Sequence, residues 1–241
     1  MMDFLNSTLP GVPLRVLDVL AFAWFIGAWV AYARYADVIG DKKVNLLAVM
    51  NHYRLNWMRQ MMRRDNRIVD ATMIGNLLRS ISFFASTTIL IVFALLTLLG
   101  YRDEGTRIIS SIPFAMEPSP FLWEFKIFIL ATVFIYAFFK FTWSLRQYNY
   151  ACAFVAGAPL HNERVDQHEE FAQKGAYLLS NAARHFNMAL RAYYFGLAAL
   201  SWFINAWVFL IVTSWVVYVV YRREFRSHTL NNLLVGEKKI S

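Results

Sequence analysis

SISFFASTTILIVFALLTLL, residues 80–99, contains no charged side chain. A helix needs roughly 20 mostly apolar residues to cross the hydrocarbon of a bilayer, and this run supplies them. Directly before it stands RRDNRIVDATMIGNLLR, residues 63–79, without proline and with helical spacing at Val69, Met73, Asn76 or Leu77, and Ser80. Asp65 and Asn66 are good helix caps. The pattern therefore predicts one helix over about 66–99, roughly 50 Å long at 1.5 Å per residue. Such a helix outreaches the bilayer and projects into the cytoplasm.

The rest of the chain supports a membrane protein. Of its 241 residues, 58% are hydrophobic, and charged residues fall to 17%, against roughly 25% in soluble domains. Mean hydropathy is +0.39, more apolar surface than a core of this size needs. Three further segments qualify as spans: VLDVLAFAWFIGAWVAYAR at 16–34, FLWEFKIFILATVFIYAFFKFTW at 121–143, and GLAALSWFINAWVFLIVTSWVVYVVY at 196–221. The N-terminus has Asp3 and no basic residue before Arg15, so it lacks the basic head of a secretory signal and the first segment reads as a retained span. The lone cysteine, Cys152, excludes an intramolecular disulfide.

Basic residues mark the cytoplasmic side. Segment 34–79 holds Arg34, Lys42, Lys43, Arg54, Arg59, Arg63, Arg64, Arg67 and Arg79; segment 144–195 holds Arg146, Arg164, Lys174, Arg184 and Arg191. Both are placed inside. The connection 100–120, with Arg102 and Arg107 against Asp103, Glu104 and Glu117 and with Pro113, Pro118 and Pro120, is placed outside. Four spans then put both termini in the periplasm of a bacterial inner membrane. The tail disagrees, because Arg222, Arg223, Arg226, Lys238 and Lys239 favour the inside; the fourteen basic residues of the two inner segments outvote it.

Within the first inner segment, MNHYRLNWMRQMMRRDNR at 50–67 is amphipathic: Leu46, Met50, Tyr53, Trp57 and Met61 recur at helical spacing, with Arg54, Arg59 and Arg63 elsewhere. Arg54, Trp57, Arg59, Arg63 and Arg64 are candidates to lie on anionic lipid of the cytoplasmic leaflet. The plainer alternative is that the stripe packs on other inner helices while the arginines stay solvated. Nucleic-acid binding needs no such tether and is the poorer reading. In the second inner segment, Asn162 can cap a helix whose first turns gather Glu163, Asp166, Glu169 and Glu170, and whose apolar stripe runs on towards Tyr193 and the fourth span. The fold expected is all-α: a four-span transmembrane bundle forming a single integral membrane domain, its long helices extending into a basic cytoplasmic helical layer at about 44–79 and 162–195.

Ionisable groups within spans are costly, and are functional candidates by default. They are Asp18, Glu124, Lys126 and Lys140, all near span ends; an Asp18–Lys126 pair across two helices is one reading and interfacial solvation the other. With Asn205 of the fourth span, Asp18 and Lys126 form the set of intramembrane polar candidates. Ser82, Ser86 and Thr87 of the second span either stitch helices together or line a water-filled path at an oligomer axis, with Arg79 and Arg67 attracting anions from the cytoplasmic side. The sequence HNERVDQHEE at 161–170 invites a metal reading, but acids at a helix start explain it, and no HExxH motif, phosphate loop or nucleotide fingerprint occurs. No catalytic residue, cofactor or metal is nominated.

The whole chain resembles a family of bacterial and plant membrane proteins known only as domain of unknown function 599. The likeness rests on the four-span layout and on RRDNRIVDATMIGNLLRSISFFASTTIL, residues 63–90. The resemblance implies an integral membrane protein and carries over no activity and no catalytic residue. Three functions remain as expectations: an oligomeric channel or permeation pathway with a basic cytoplasmic vestibule; a non-catalytic scaffold or accessory subunit binding anionic lipid and other membrane proteins; and, behind these, a membrane enzyme or cofactor binder.

Overall fold

The computed structural model describes residues 15–40, 45–111 and 119–237. The expectations for Asp3, Lys42, Lys43, Pro113, Glu117, Pro118, Lys238 and Lys239 lie outside the described residues. Among those described there is no strand, and the helices are α1 (Val16–Gly40), α2 (Leu46–Met62), α3 (Ile68–Gly100), α4 (Arg102–Ser110), α5 (Pro120–Ala156), α6 (His168–Leu200), α7 (Ala206–Phe225) and α8 (His228–Glu237). Helices α1, α3, α5 and α7 carry stretches long and apolar enough to cross a membrane.

Local chemistry sets the boundaries. Asn45 Oδ1 accepts from Ala48 N at 2.7 Å to start α2, and Asn66 Oδ1 accepts from Ile68 N at 2.9 Å to start α3. Pro120 opens α5, where no amide donor is needed, with Ser119 Oγ accepting from Leu122 N at 3.2 Å. The acidic helix expected from Asn162 begins later. Arg164 adopts a left-handed conformation, φ 46°, and a 3-10 turn at Val165–Gln167 intervenes before α6, so Glu169 and Glu170 occupy the first turn.

The chain divides into two units. The first comprises Met1–Val38, Thr88–Ala137 and Leu190–Tyr221, and ring contacts fix the directions of its helices. Phe22 meets Phe125 and Trp29 meets Tyr136, so α1 and α5 run parallel. Trp202 meets Phe22 and Tyr221 meets Tyr35, so α7 also follows α1. In contrast, Phe195 of α6 lies on Phe25 while Arg191 lies over Tyr32, so α6 runs the opposite way. Helices α6 and α7 thus form a hairpin, where one continuous fourth span over 196–221 was expected. Its turn is polar: Asn205 Oδ1 accepts from Trp207 N at 3.0 Å to cap α7, and Ile204 N donates to Ser201 O at 3.1 Å. Hydropathy overlooks the end of α6 because Ala189, Ala192, Phe195, Ala198 and Ala199 are buried against neighbouring helices. In lipid, close packing of such small residues replaces the hydrophobic drive.

The second unit comprises Ile39–Thr87, Phe138–Ala189 and Arg222–Ser241. Phe84, Phe141 and Phe186 form a ring cluster, and Ser144 Oγ donates to Ala182 O at 2.7 Å. Val49, Met58, Met61 and Met62 of α2 are buried. Gly175 of α6 permits the approach: a Cβ there would stand 3.0 Å from Met58 Sδ. Helix α8 packs against α2. The basic tail therefore shares a side with the basic segment from which the sequence reading separated it. The hairpin explains this, because the chain traverses the first unit once more than hydropathy counts.

Candidate functional site

The arginine-rich stretch is largely engaged with the protein itself. Arg54 is half-buried and bonded to Asn51 Oδ1 at 2.8 Å; burial lowers its pKa, and neighbouring Tyr148 opposes that shift. Trp57 Nε1 donates to Asp70 Oδ1 at 2.6 Å, and Arg64 joins the same fully buried carboxylate at 3.1 Å. Arg59 chelates Glu169, with contacts at 2.6 and 3.0 Å. Bonds from Arg59, then from Gln173, hold the Glu169 carboxyl down to about 2. Arg67 donates to the carbonyls of Ala158 and Pro159, at 2.8 Å to the former, tying down the chain after α5. Of the five lipid-interface candidates, Arg63 alone makes no side-chain bond among the described residues. On α2, Val49, Met58, Met61 and Met62 are buried by protein, as the packing alternative expected, but most of the arginines are bonded to protein where that alternative left them solvated.

Asp18 and Lys126 come together at one end of the first unit. Lys126 Nζ donates to Trp202 O at 2.8 Å, and Trp202 Nε1 donates to Asp18 Oδ1 at 2.8 Å. The pair is thus bridged by Trp202, through its backbone carbonyl to the lysine and its indole N–H to the aspartate, and the ammonium also sits over the ring at 5.3 Å. Both charged residues are only 5% exposed, so interfacial solvation does not apply. Asn205 stands three residues beyond the bridge and caps α7. Sequence reasoning missed Trp202; its position in a polar break, SWFIN, is the signal that could have found it.

The path candidates on α3 separate. Arg79, Ser82 and Ser86 are exposed and Thr87 is half-exposed, while Arg67 is held by the carbonyls and leaves the set. Thr88 turns inward to share a 2.6 Å hydrogen bond with Tyr193. The exposed residues continue at spacings of three and four through Leu90, Phe93 and Thr97. Residues 79, 82, 86, 90, 93 and 97 therefore make one straight line along α3, about 27 Å long at 1.5 Å per residue. Its chemistry is ordered: a cation hydrogen-bonded to Asn76 at one end, then two hydroxyls, two large apolar side chains, and a hydroxyl bonded to its own helix at Phe93 O.

Elsewhere His161 pairs with Asp65, and His168 Nε2 bonds Glu163 O at 2.8 Å. Among the described residues no three His, Cys, Asp or Glu side chains are placed to hold a metal.

The family described as "Protein of unknown function, DUF599" matches residues 20–229. No curated protein and no solved structure matches.

Proposed function

We propose a membrane function from one premise: the chain belongs to the DUF599 family, described as proteins of unknown function. We infer that copies of the chain associate along α3 and that the line from Arg79 to Thr97 borders an anion-conducting path between them. One observation carries this reading: the ordered line of exposed side chains covers about the hydrocarbon thickness of a bilayer. The centre of the first unit is filled by Phe25, Phe195, Trp202 and Phe209, so a path has to follow an outer face. In this assignment Arg79 stands at the mouth and concentrates anions.

Proteoliposomes should release chloride faster than protein-free vesicles, and Arg79→Glu should lower chloride release about tenfold, the scale on which one charged mouth alters local ion concentration. Release equal to that of protein-free vesicles would remove the reading.

Orientation follows from charge. With α8 on α2, the tail arginines join Arg54 to Arg79, and we place this side in the cytoplasm of a bacterial inner membrane, with the N-terminus outside and the C-terminus inside. A cysteine replacing exposed Asn231, in a Cys152→Ser background, should react with an impermeant maleimide in inverted vesicles and stay unlabelled in intact cells; the reverse pattern would overturn the placement.

A second reading, a scaffold or accessory subunit, is favoured by exposed Ile68, Val69 and Met73 at the start of α3. They precede the uncharged run and call for a protein cover. Silence in the release assay together with one stoichiometric partner would select this reading.

A further inference from the structure

The second unit contains a groove of about 640 Å³ lined by Arg59 and Met62 of α2, Arg63 at its C-terminal cap, His161 and Val165 of the connection, and His168 and Glu169 of α6. That volume is in the range of small-molecule sites. Its walls are fixed from behind: Arg67 holds the carbonyls of Ala158 and Pro159, and His161 is paired with Asp65. Arg63 is exposed and makes no side-chain bond among the described residues. Arg59 faces the same space but is occupied by Glu169. Two guanidinium groups and two imidazoles thus converge from three chain segments, with α6 beginning at His168, where its dipole is positive. Donors arriving from several directions suit a tetrahedral dianion better than a planar carboxylate. Met62 and Val165 offer an apolar wall to whatever body the anion carries.

We propose that this groove is a binding site for a phosphate monoester, with Arg63 as the primary anion contact and Glu169 as an internal competitor for Arg59. In the empty groove the carboxylate neutralises Arg59; an arriving phosphate takes that guanidinium over. The site is separate from the line on α3 and does not depend on conduction.

The test uses full-length protein in phosphatidylcholine nanodiscs, titrated with phenyl phosphate and followed by calorimetry. Saturable binding is expected, weakened at least tenfold by Arg63→Gln and tightened severalfold by Glu169→Gln. The gain matters because a folding defect does not raise affinity. A repeat in nanodiscs containing phosphatidic acid assigns the source. Loss of phenyl phosphate binding there identifies a lipid headgroup as the occupant, and unchanged binding identifies a soluble phosphate ester; either supports the site. Absence of saturable binding, or equal affinity in wild type and both variants, would overturn it.

Discussion

Lys126→Met should destabilise the folded protein by about 3–5 kcal/mol, the usual cost of leaving a buried charge without its partner. The ammonium is 5% exposed and reaches Asp18 through Trp202. Its removal strands a carboxylate of equal burial and frees the Trp202 carbonyl within the packed hairpin turn. Asp18→Asn alone should also destabilise, because the lysine then loses its counter-charge. The double variant should recover much of the loss, since a neutral pair has no charge to desolvate. Unfolding in mild detergent, read as a double-mutant cycle, measures the coupling. Strictly additive losses would show that the two side chains are not a pair. The bridge matters for architecture because it joins α1 and α5 to the turn that lets α6 and α7 run in opposite directions.

Phe93→Ser should raise chloride release from proteoliposomes about tenfold or more. Leu90 and Phe93 are 67% and 62% exposed, between the hydroxyls of Ser82 and Ser86 and that of Thr97. Along a water-filled path such a band is a dewetting barrier. Lowering a barrier by about 1.4 kcal/mol gives a tenfold rate, and loss of one phenyl side chain is worth that much or more. Leu90→Ser should act in the same direction. If both substitutions leave release unchanged, this band does not limit conduction.

The long helix containing residues 80–99 was legible because two strong signals agree there: an uncharged run of spanning length and Asn66 as its cap. Expected over about 66–99, it is observed as Ile68–Gly100. The fourth span was misread for a physical reason. Hydropathy sees apolar content, and Gly196 to Leu200 joined seamlessly to Ala206 and beyond, whereas the interruption rests on Ser201 and Asn205 bonding their own backbone. Helix α6 was expected over about 162–195, but its last turns escaped notice as a separate traverse because a segment shielded by other helices does not need a lipid-compatible surface, so Ala and even Arg191 suffice there. The arginines of 54–67 illustrate a different limit. Their number was plain, but Glu169, Asp70 and the carbonyls after α5 that engage them are 6 to 110 residues away in sequence. Convergence of Asp18 and Lys126 was foreseeable from their positions at span ends; Trp202 between them was signalled only by its place in the polar break SWFIN and was overlooked.

Conduction along α3 requires that water reach its exposed face. The most direct measurement is the reaction of Ser86→Cys, in a Cys152→Ser background, with a charged, water-soluble thiosulfonate in proteoliposomes, followed with chloride release. A water-lined face gives modification and a concurrent loss of release. A thiol that resists the charged reagent, yet reacts with a lipid-soluble maleimide, would place that face in lipid and contradict conduction along α3.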